Sequence, residues 1–329
     1  MSDTFAAYLV EKTDDGQSLR RAELRLDDLM EGDVTVDVEW STLNYKDGLA
    51  LTGASPVVRR FPLVPGIDFA GTVEASADPR YKPGDKVVLN GWGVGEAHHG
   101  GYAGKARVSG DWLVPLPEGL STRQAMAVGT AGYTAMLCVM ALQDHGLQPA
   151  DGDILVTGAA GGVGSIATAI LANLGHRVVA VTGRPEQEEF LRSLGASDIA
   201  PRSDFADKAR PLGKELWAGA VDVAGGNTLA NVLSQVKRGG AVAACGLAES
   251  MSLPTSVAPF ILRGVALYGI DSVMASFEKR QRAWEGIVQH LDAGLLESLT
   301  TEVDFADLPA LGEQILKGQV RGRLVVQLP

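Results

Sequence analysis

The chain has 329 residues, is 46% hydrophobic and 21% charged, and carries a formal net charge of -11. That length suits two domains with substantial cores, and the negative sign opposes nonspecific binding to nucleic acid or to an anionic membrane. Two cysteines, Cys138 and Cys245, are too few for a four-thiolate zinc lobe or a disulfide framework.

The N-terminal MSDTFAAYLVEKTDDG has no basic region leading into a long apolar stretch, which predicts no signal peptide. No apolar run is read as reaching the ~18 residues of a membrane span. Both readings predict a soluble, cytoplasmic protein. Residues 1–120 are β-rich in pattern. VTVDVEW (34–40) alternates as a half-buried strand does, and FAGTVEAS (69–76) and KVVLNGW (86–92) follow with turn signals between them. Glycines cluster at 91–104, where the chain must bend sharply or approach something closely.

The pattern changes near 121. Ser121 with Gln124 three residues on predicts a helix start, and AMAVGTAGYTAMLCVMAL predicts a buried helix. From 151 to about 270 the strands ILVTG, RVVAVTG, SDIAP, AVDVAGG, AVAACGLA and VALYGID alternate with helices. That alternation predicts a doubly wound parallel sheet of the Rossmann type. The final strand RLVVQLP is expected to return to the first domain. The division predicted is 1–122, completed by about 300–329, and 123–299.

Ala159-Ala160-Gly161-Gly162-Val163-Gly164 follows a strand and opens a helix, the context a dinucleotide fingerprint requires. Gly161 allows close approach of a pyrophosphate, Gly164 allows tight helix–strand packing, and Gly162 and Val163 begin the helix whose N–H groups face the phosphates. An acidic residue that would bind the ribose of NAD belongs about 20 residues further on. No carboxylate occurs from 178 to 185; Thr182, Gly183 and Arg184 stand there instead. Arg184 can pair with a 2′-phosphate, and Arg202 after the third strand can reach the same group, so NADPH is favoured over NADH. A solvated surface arginine is the plain alternative at either position.

The cysteine and histidine ligands that hold zinc in alcohol dehydrogenases of similar frame are missing, since no cysteine precedes residue 138. His98 and His99 are adjacent and would point apart on an extended chain, so no metal site is expected. Without a Lewis acid, an activated C=C bond is the favoured hydride acceptor.

Asn44-Tyr45-Lys46-Asp47, the stretch from Pro65 to Gly71, Gly91-Trp92-Gly93-Val94-Gly95-Glu96, the stretch from Gly110 to Pro115 and the AAGGVG turn occur in that order. With these motifs the chain resembles the zinc-free branch of the medium-chain dehydrogenase/reductase superfamily, and within it the acrylyl-CoA reductase group, which is quinone oxidoreductase-like. The resemblance implies an α/β architecture: a GroES-like β-rich catalytic domain, a Rossmann domain, and the cofactor in the cleft between them. It implies NADPH-dependent reduction of acryloyl-CoA to propanoyl-CoA. It places Tyr45 by the cofactor, Thr182, Gly183 and Arg184 at the 2′-phosphate, Arg202 beside them, and Leu247 and Ser272 on the nicotinamide side. Thr134, in the apolar helix, is counted with the cofactor-binding set.

For the chemistry, Tyr45 is the first candidate donor to the thioester oxygen, and Tyr45 or water would supply a proton. Asp47 is named with it, as a loop-orienting or capping residue rather than an acid, because an exposed aspartate has a pKa near ~3.9. On an extended segment Lys46 would face away and be solvated. Arg59-Arg60, or Lys279-Arg280 with Arg282, could meet the CoA phosphates. An NADPH:quinone reductase and a non-catalytic NADPH-binding protein are the competing readings. A homodimer formed along VALYGID (265–271) is the expected assembly, with a small enoyl-CoA and neither nucleic acid nor membrane as partner.

Overall fold

Alternation in the first third gives a mostly antiparallel β structure. The structure, a computed structural model, describes residues 4–14 and 16–329. The chain opens with the hairpin β1 (Phe5–Thr13) and β2 (Gly16–Leu24), which the sequence pattern did not single out. There follow β3 (Val34–Thr42), helix α1 (Tyr45–Thr52), β4 (Asp68–Ser76), β5 (Lys86–Asn90), β6 (Lys105–Val108) and β7 (Val114–Pro115). In β3, Val34, Val36 and Val38 are buried while Asp37 between them is exposed, the period-two pattern of a one-sided strand.

The long helix α2 (Thr122–Asp144) starts on a reciprocal cap: Ser121 N donates to Gln124 Oε1 and Gln124 N to Ser121 Oγ. It kinks at Gly129, whose φ of 51° only glycine adopts readily. Long and apolar enough to cross a membrane by composition, it corrects the expectation that no such run exists; its apolar window is 89% buried within the protein.

Next come β8 (Ile154–Val156), α3 (Gly162–Asn173), β9 (Val178–Thr182), α4 (Glu188–Ser193), β10 (Asp198–Pro201), β11 (Trp217–Asp222), α5 (Gly226–Gln235), β12 (Val236–Ala244), α6 (Ala258–Arg263) and β13 (Ala266–Gly269). The chain ends with α7 (Phe277–His290), α8 (Ala293–Ser298), β14 (Thr300–Val303), α9 (Leu308–Leu316) and β15 (Arg323–Gln327).

Two compact units result. The first comprises residues 1–130, 272–288 and 296–329; the second comprises 131–271 and 289–295. Residues 272–288 thus join the β-rich unit, a division finer than the simple split at 122 and 300. In the first unit the sheet order is β14-β15-β3-β4-β5-β7, with β6 also paired to β3. The returning strand β15 lies antiparallel to β3. Its core gathers Val36, Phe69, Leu89, Tyr102 and Val326.

In the second unit the order is β10-β9-β8-β11-β12-β13, all parallel. This is the doubly wound order in which the direction of travel reverses between the first and fourth strands, here β8 and β11. Ligands of such sheets bind beyond the carboxyl ends of the strands at that point.

Candidate active site

The glycine-rich turn joins β8 to α3. A Cβ on Gly164 would lie 2.4 Å from the Gly158 carbonyl oxygen, so only glycine lets the helix pack this close to the strand. At Gly161 a Cβ would meet only the same oxygen, tightly at 3.3 Å, with no other atom within 4 Å, so the turn is open around it. Gly161 is the N-cap of α3 and no side chain caps the helix; Gly162 and Val163 form its first turn. The N-terminus of α5 differs, because Glu249 accepts from Asn227 N (2.9 Å) and Thr228 N (3.3 Å). Of these two helix starts, α3 is the one whose N–H groups and dipole are left for an anion.

The ends of β9 and β10 converge. Thr182 pairs in register with Pro201, so Gly183-Arg184 and Arg202 emerge side by side. A Cβ on Gly183 would lie 2.8 Å from the Arg202 guanidinium, which therefore lies flat against that glycine. Thr182 is buried, and its hydroxyl accepts from Arg184 N at 3.1 Å, shaping the turn that presents Arg184. The guanidinium groups of Arg184 and Arg202, with no carboxylate in 178–185, suit a phosphate monoester better than a ribose diol. An open helix N-terminus, a glycine with space beside it and paired arginines fit a phosphorylated dinucleotide.

At the strand-order reversal, Thr157 Oγ1 donates to Asp222 Oδ1 at 2.7 Å and accepts from Val223 N at 3.0 Å. Asp222 Oδ2 accepts from Gly225 N, and burial pushes its pKa up. This pair locks the turns after β8 and β11. No motif marks it, and only the sheet order brings the two residues together. In the same unit Thr134 is buried in α2, and Leu247, after β12, is 56% exposed.

In the first unit the NYKD segment is the start of α1, not an extended strand. Asp47 is fully buried, which corrects the expectation of an exposed side chain. Its Oδ2 accepts from Asn44 N (2.8 Å) and Asn44 Nδ2 (3.0 Å), and its Oδ1 from Ile67 N (2.9 Å). Asp47 thus caps α1 and ties it to the Pro65–Gly71 stretch. Burial, with the Asp68 carboxylate second, raises its pKa to about 7. Asp68 Oδ2 accepts from Asn44 Nδ2 (3.0 Å) and Thr130 N (2.6 Å). Arg323 completes the cluster, donating to Ala127 O and Thr42 Oγ1. Above this base Tyr45 occupies the first position of α1, 43% exposed.

Lys46 is not simply solvated: its Nζ meets Glu96 Oε1 at 2.8 Å, and Arg59 Nη2 lies 3.6 Å from the other oxygen. His98 and His99 are held by main-chain groups; His99 Nδ1 accepts from Val64 N, and burial lowers its pKa to about 4. Arg280 is buried on main-chain carbonyls and is withdrawn as a phosphate contact. Ser272 lies in this same unit, half-buried.

Two family models match the chain: the alcohol dehydrogenase GroES-like domain over residues 30–118 and the zinc-binding dehydrogenase over 162–291. The chain is 60% identical to Acrylyl-CoA reductase AcuI of Ruegeria pomeroyi, over 98% of this chain and 99% of that one. The yhdH oxidoreductase of Salmonella enterica, solved in complex with NADP, is 53% identical with a TM-score of 0.97, covering 98% of this chain and 100% of the other. YhfP of Bacillus subtilis, solved with NAD bound and quinone oxidoreductase-like, is 43% identical with a TM-score of 0.95, covering 99% and 100%. The zinc in the second model's name finds no donor set: among the described residues no three His, Cys, Asp or Glu side chains gather as a metal site. Cys138 and Cys245 lie in the Rossmann unit, and the ring nitrogens of His98 contact backbone carbonyls. From these motifs, this sheet order and this identity, the chain belongs to the medium-chain dehydrogenase/reductase family, in its acrylyl-CoA reductase group.

Proposed function

We propose that this chain reduces the C=C bond of acryloyl-CoA to give propanoyl-CoA, with NADPH as reductant. The observation that carries the reading is the 60% identity, over 98% of the chain, to Acrylyl-CoA reductase AcuI. Gly161, Gly162, Val163 and Gly164 would hold the pyrophosphate, Thr182, Gly183, Arg184 and Arg202 the 2′-phosphate, and Thr134, Leu247, Ser272 and Tyr45 the remainder. When bound, NADPH supplies a hydride, and the electron-poor β-carbon of an enoyl thioester is the atom that accepts it.

Charge then develops on the thioester oxygen, and a donor aimed there lowers the barrier. The Tyr45 hydroxyl is that donor in this reading, and Tyr45 or water gives the α-carbon the proton that completes propanoyl-CoA. Asp47 supports Tyr45 from below: both its oxygens are taken by N–H groups, so it fixes the first turn of α1 and transfers no proton. Arg59 and Arg60, both exposed, are the cations offered to the CoA phosphates, with Lys279 and Arg282 second.

A quinone reductase is the second reading, favoured by the likeness to YhfP. The two separate in one assay: purified protein with acryloyl-CoA, crotonyl-CoA and a quinone, each with NADPH and with NADH. Turnover of acryloyl-CoA with NADPH is expected; turnover of the quinone alone would overturn the thioester reading.

We also propose a cytoplasmic homodimer joined along β13. This strand ends the parallel sheet, and its own Tyr268 is an exposed large apolar side chain, as are Val257, Ile261 and Leu262 in and before α6, which precedes it in the chain. Sedimentation at micromolar concentration tests it, and a monomer would refute it.

A further inference from the structure

Arg280 of α7 is only 2% exposed. A guanidinium keeps its charge in a protein and carries five N–H donors in a rigid plane, so burying it is costly unless those donors are met. Here main-chain carbonyls meet them. Nε donates to Ala275 O at 2.9 Å, Nη1 to Asn90 O at 2.5 Å, and Nη2 to Val273 O at 2.6 Å and Ser272 O at 3.3 Å. The guanidinium lies over the Trp92 ring, 4.6 Å from its centroid.

Two further features converge on the same segment. Trp92 has a φ of 57°, a left-handed conformation that is an outlier for so bulky a residue, and its N donates to Val273 O at 3.0 Å. A Cβ on Gly91 would stand 2.8 Å from Val273 O and 2.9 Å from its Cα. The end of β5 and the 272–275 segment are therefore pressed together, with one cation binding carbonyls from both. An ordinary surface connection needs no such device, and backbone strain held in place this firmly is characteristic of a segment whose position matters to a ligand.

We infer that Arg280 is a positioning residue: it fixes the 272–275 segment, and so Ser272, for the nicotinamide end of the cofactor. This rests on the NADPH reading above. Arg280 touches neither cofactor nor substrate and acts through the carbonyls it gathers. A lysine keeps the charge but cannot span these carbonyls from one plane.

The test compares binding of NADPH with binding of adenosine 2′,5′-bisphosphate, which has the 2′-phosphate and no nicotinamide. Arg280→Lys should raise the Kd for NADPH about tenfold, the size of one or two lost oriented contacts, and leave the bisphosphate Kd unchanged. Equal rises in both Kd values, or no rise in either, would overturn the inference. If Arg280→Lys yields no folded protein, Trp92→Leu decides, with the same split expected at about threefold for the lost ring contact. Failure of the wild-type protein to bind either ligand would instead overturn the NADPH reading itself.

Discussion

Lys46 Nζ lies 2.8 Å from Glu96 Oε1 and joins the NYKD and GWGVGE segments, which are 50 residues apart. Glu96 is buried, while Lys46 is about one-third exposed. Glu96 is held in turn from a third segment, where Arg59 N donates to its main-chain oxygen at 2.7 Å. The two motifs are thus one structural unit around the first turn of α1.

Lys46→Met leaves a buried carboxylate with only the longer Arg59 contact, whereas Glu96→Gln keeps a neutral acceptor. Breaking one side of such a pair costs more than replacing both. Each single variant is expected to lose about 1–2 kcal/mol, and the double variant about 1 kcal/mol less than their sum, discounted for the exposure of Lys46. Urea unfolding of the four proteins measures this. Strict additivity would mean that the pair is not coupled.

In the proposed function, Arg184 and Arg202 carry the cofactor preference. Arg184→Ala should weaken NADPH by about ten- to a hundredfold in KM, about 1.4–2.7 kcal/mol, as for a lost charge-assisted contact to phosphate. NADH should be almost unaffected. Equal effects on the two cofactors would remove Arg184 from the 2′-phosphate site.

How much of this was legible in the residues follows from locality. The AAGGVG turn and the missing acid after β9 are read within one βαβ unit, and the alternation of β8–β13 repeats such local units; the sheet order agrees with them. The Asp47 environment is not local: beside the neighbouring Asn44 it includes the Asp68 carboxylate, which raises its pKa, and the buried Arg323, which is 276 residues away in sequence. Treating Asp47 as exposed followed from its charge alone. Arg280 misled in the same way, since a Lys-Arg pair on a helix reads as open to the CoA phosphates until Asn90 O and Val273 O are placed beside it. The hairpin β1–β2 escaped because GQSLRRAEL has little apolar alternation and is mostly exposed.

Two buried groups set opposite pH slopes. His99 has a folded pKa of about 4, below the usual ~6.5, because burial disfavours its cation. The unfolded chain therefore takes up a proton that the folded chain refuses, and stability is lost as pH falls from about 6.5 to about 4. Asp47 is raised to about 7, first by burial and then by Asp68. The folded chain keeps a proton that the unfolded chain releases, so this contribution is lost as pH rises from about 4 to about 7. Between about pH 4 and about pH 6.5 the two contributions largely offset each other, so His99→Asn should unmask the Asp47 slope, with urea midpoints falling as pH rises through this range. An unchanged slope in that variant would remove His99 from this role.

Substitutions at Gly161 and Gly164 should separate cofactor binding from folding. A Cβ at Gly164 would stand 2.4 Å from Gly158 O and 2.6 Å from Ala159 Cα, both main-chain atoms that cannot swing aside. Gly164→Ala must push α3 off β8, so it should lower stability by about 2 kcal/mol or more, in the range of core overpacking, and lower the thermal midpoint with it. At Gly161 the added carbon meets Gly158 O at 3.3 Å, a contact that a small shift relieves. Gly161→Ala should therefore melt within a few degrees of the parent, about 1 kcal/mol or less, yet bind NADPH more than tenfold more weakly, because its methyl occupies the space meant for the pyrophosphate. Calorimetry and NADPH titration on both variants make the comparison. A Gly161→Ala protein that binds NADPH normally would show that the pyrophosphate does not approach this turn.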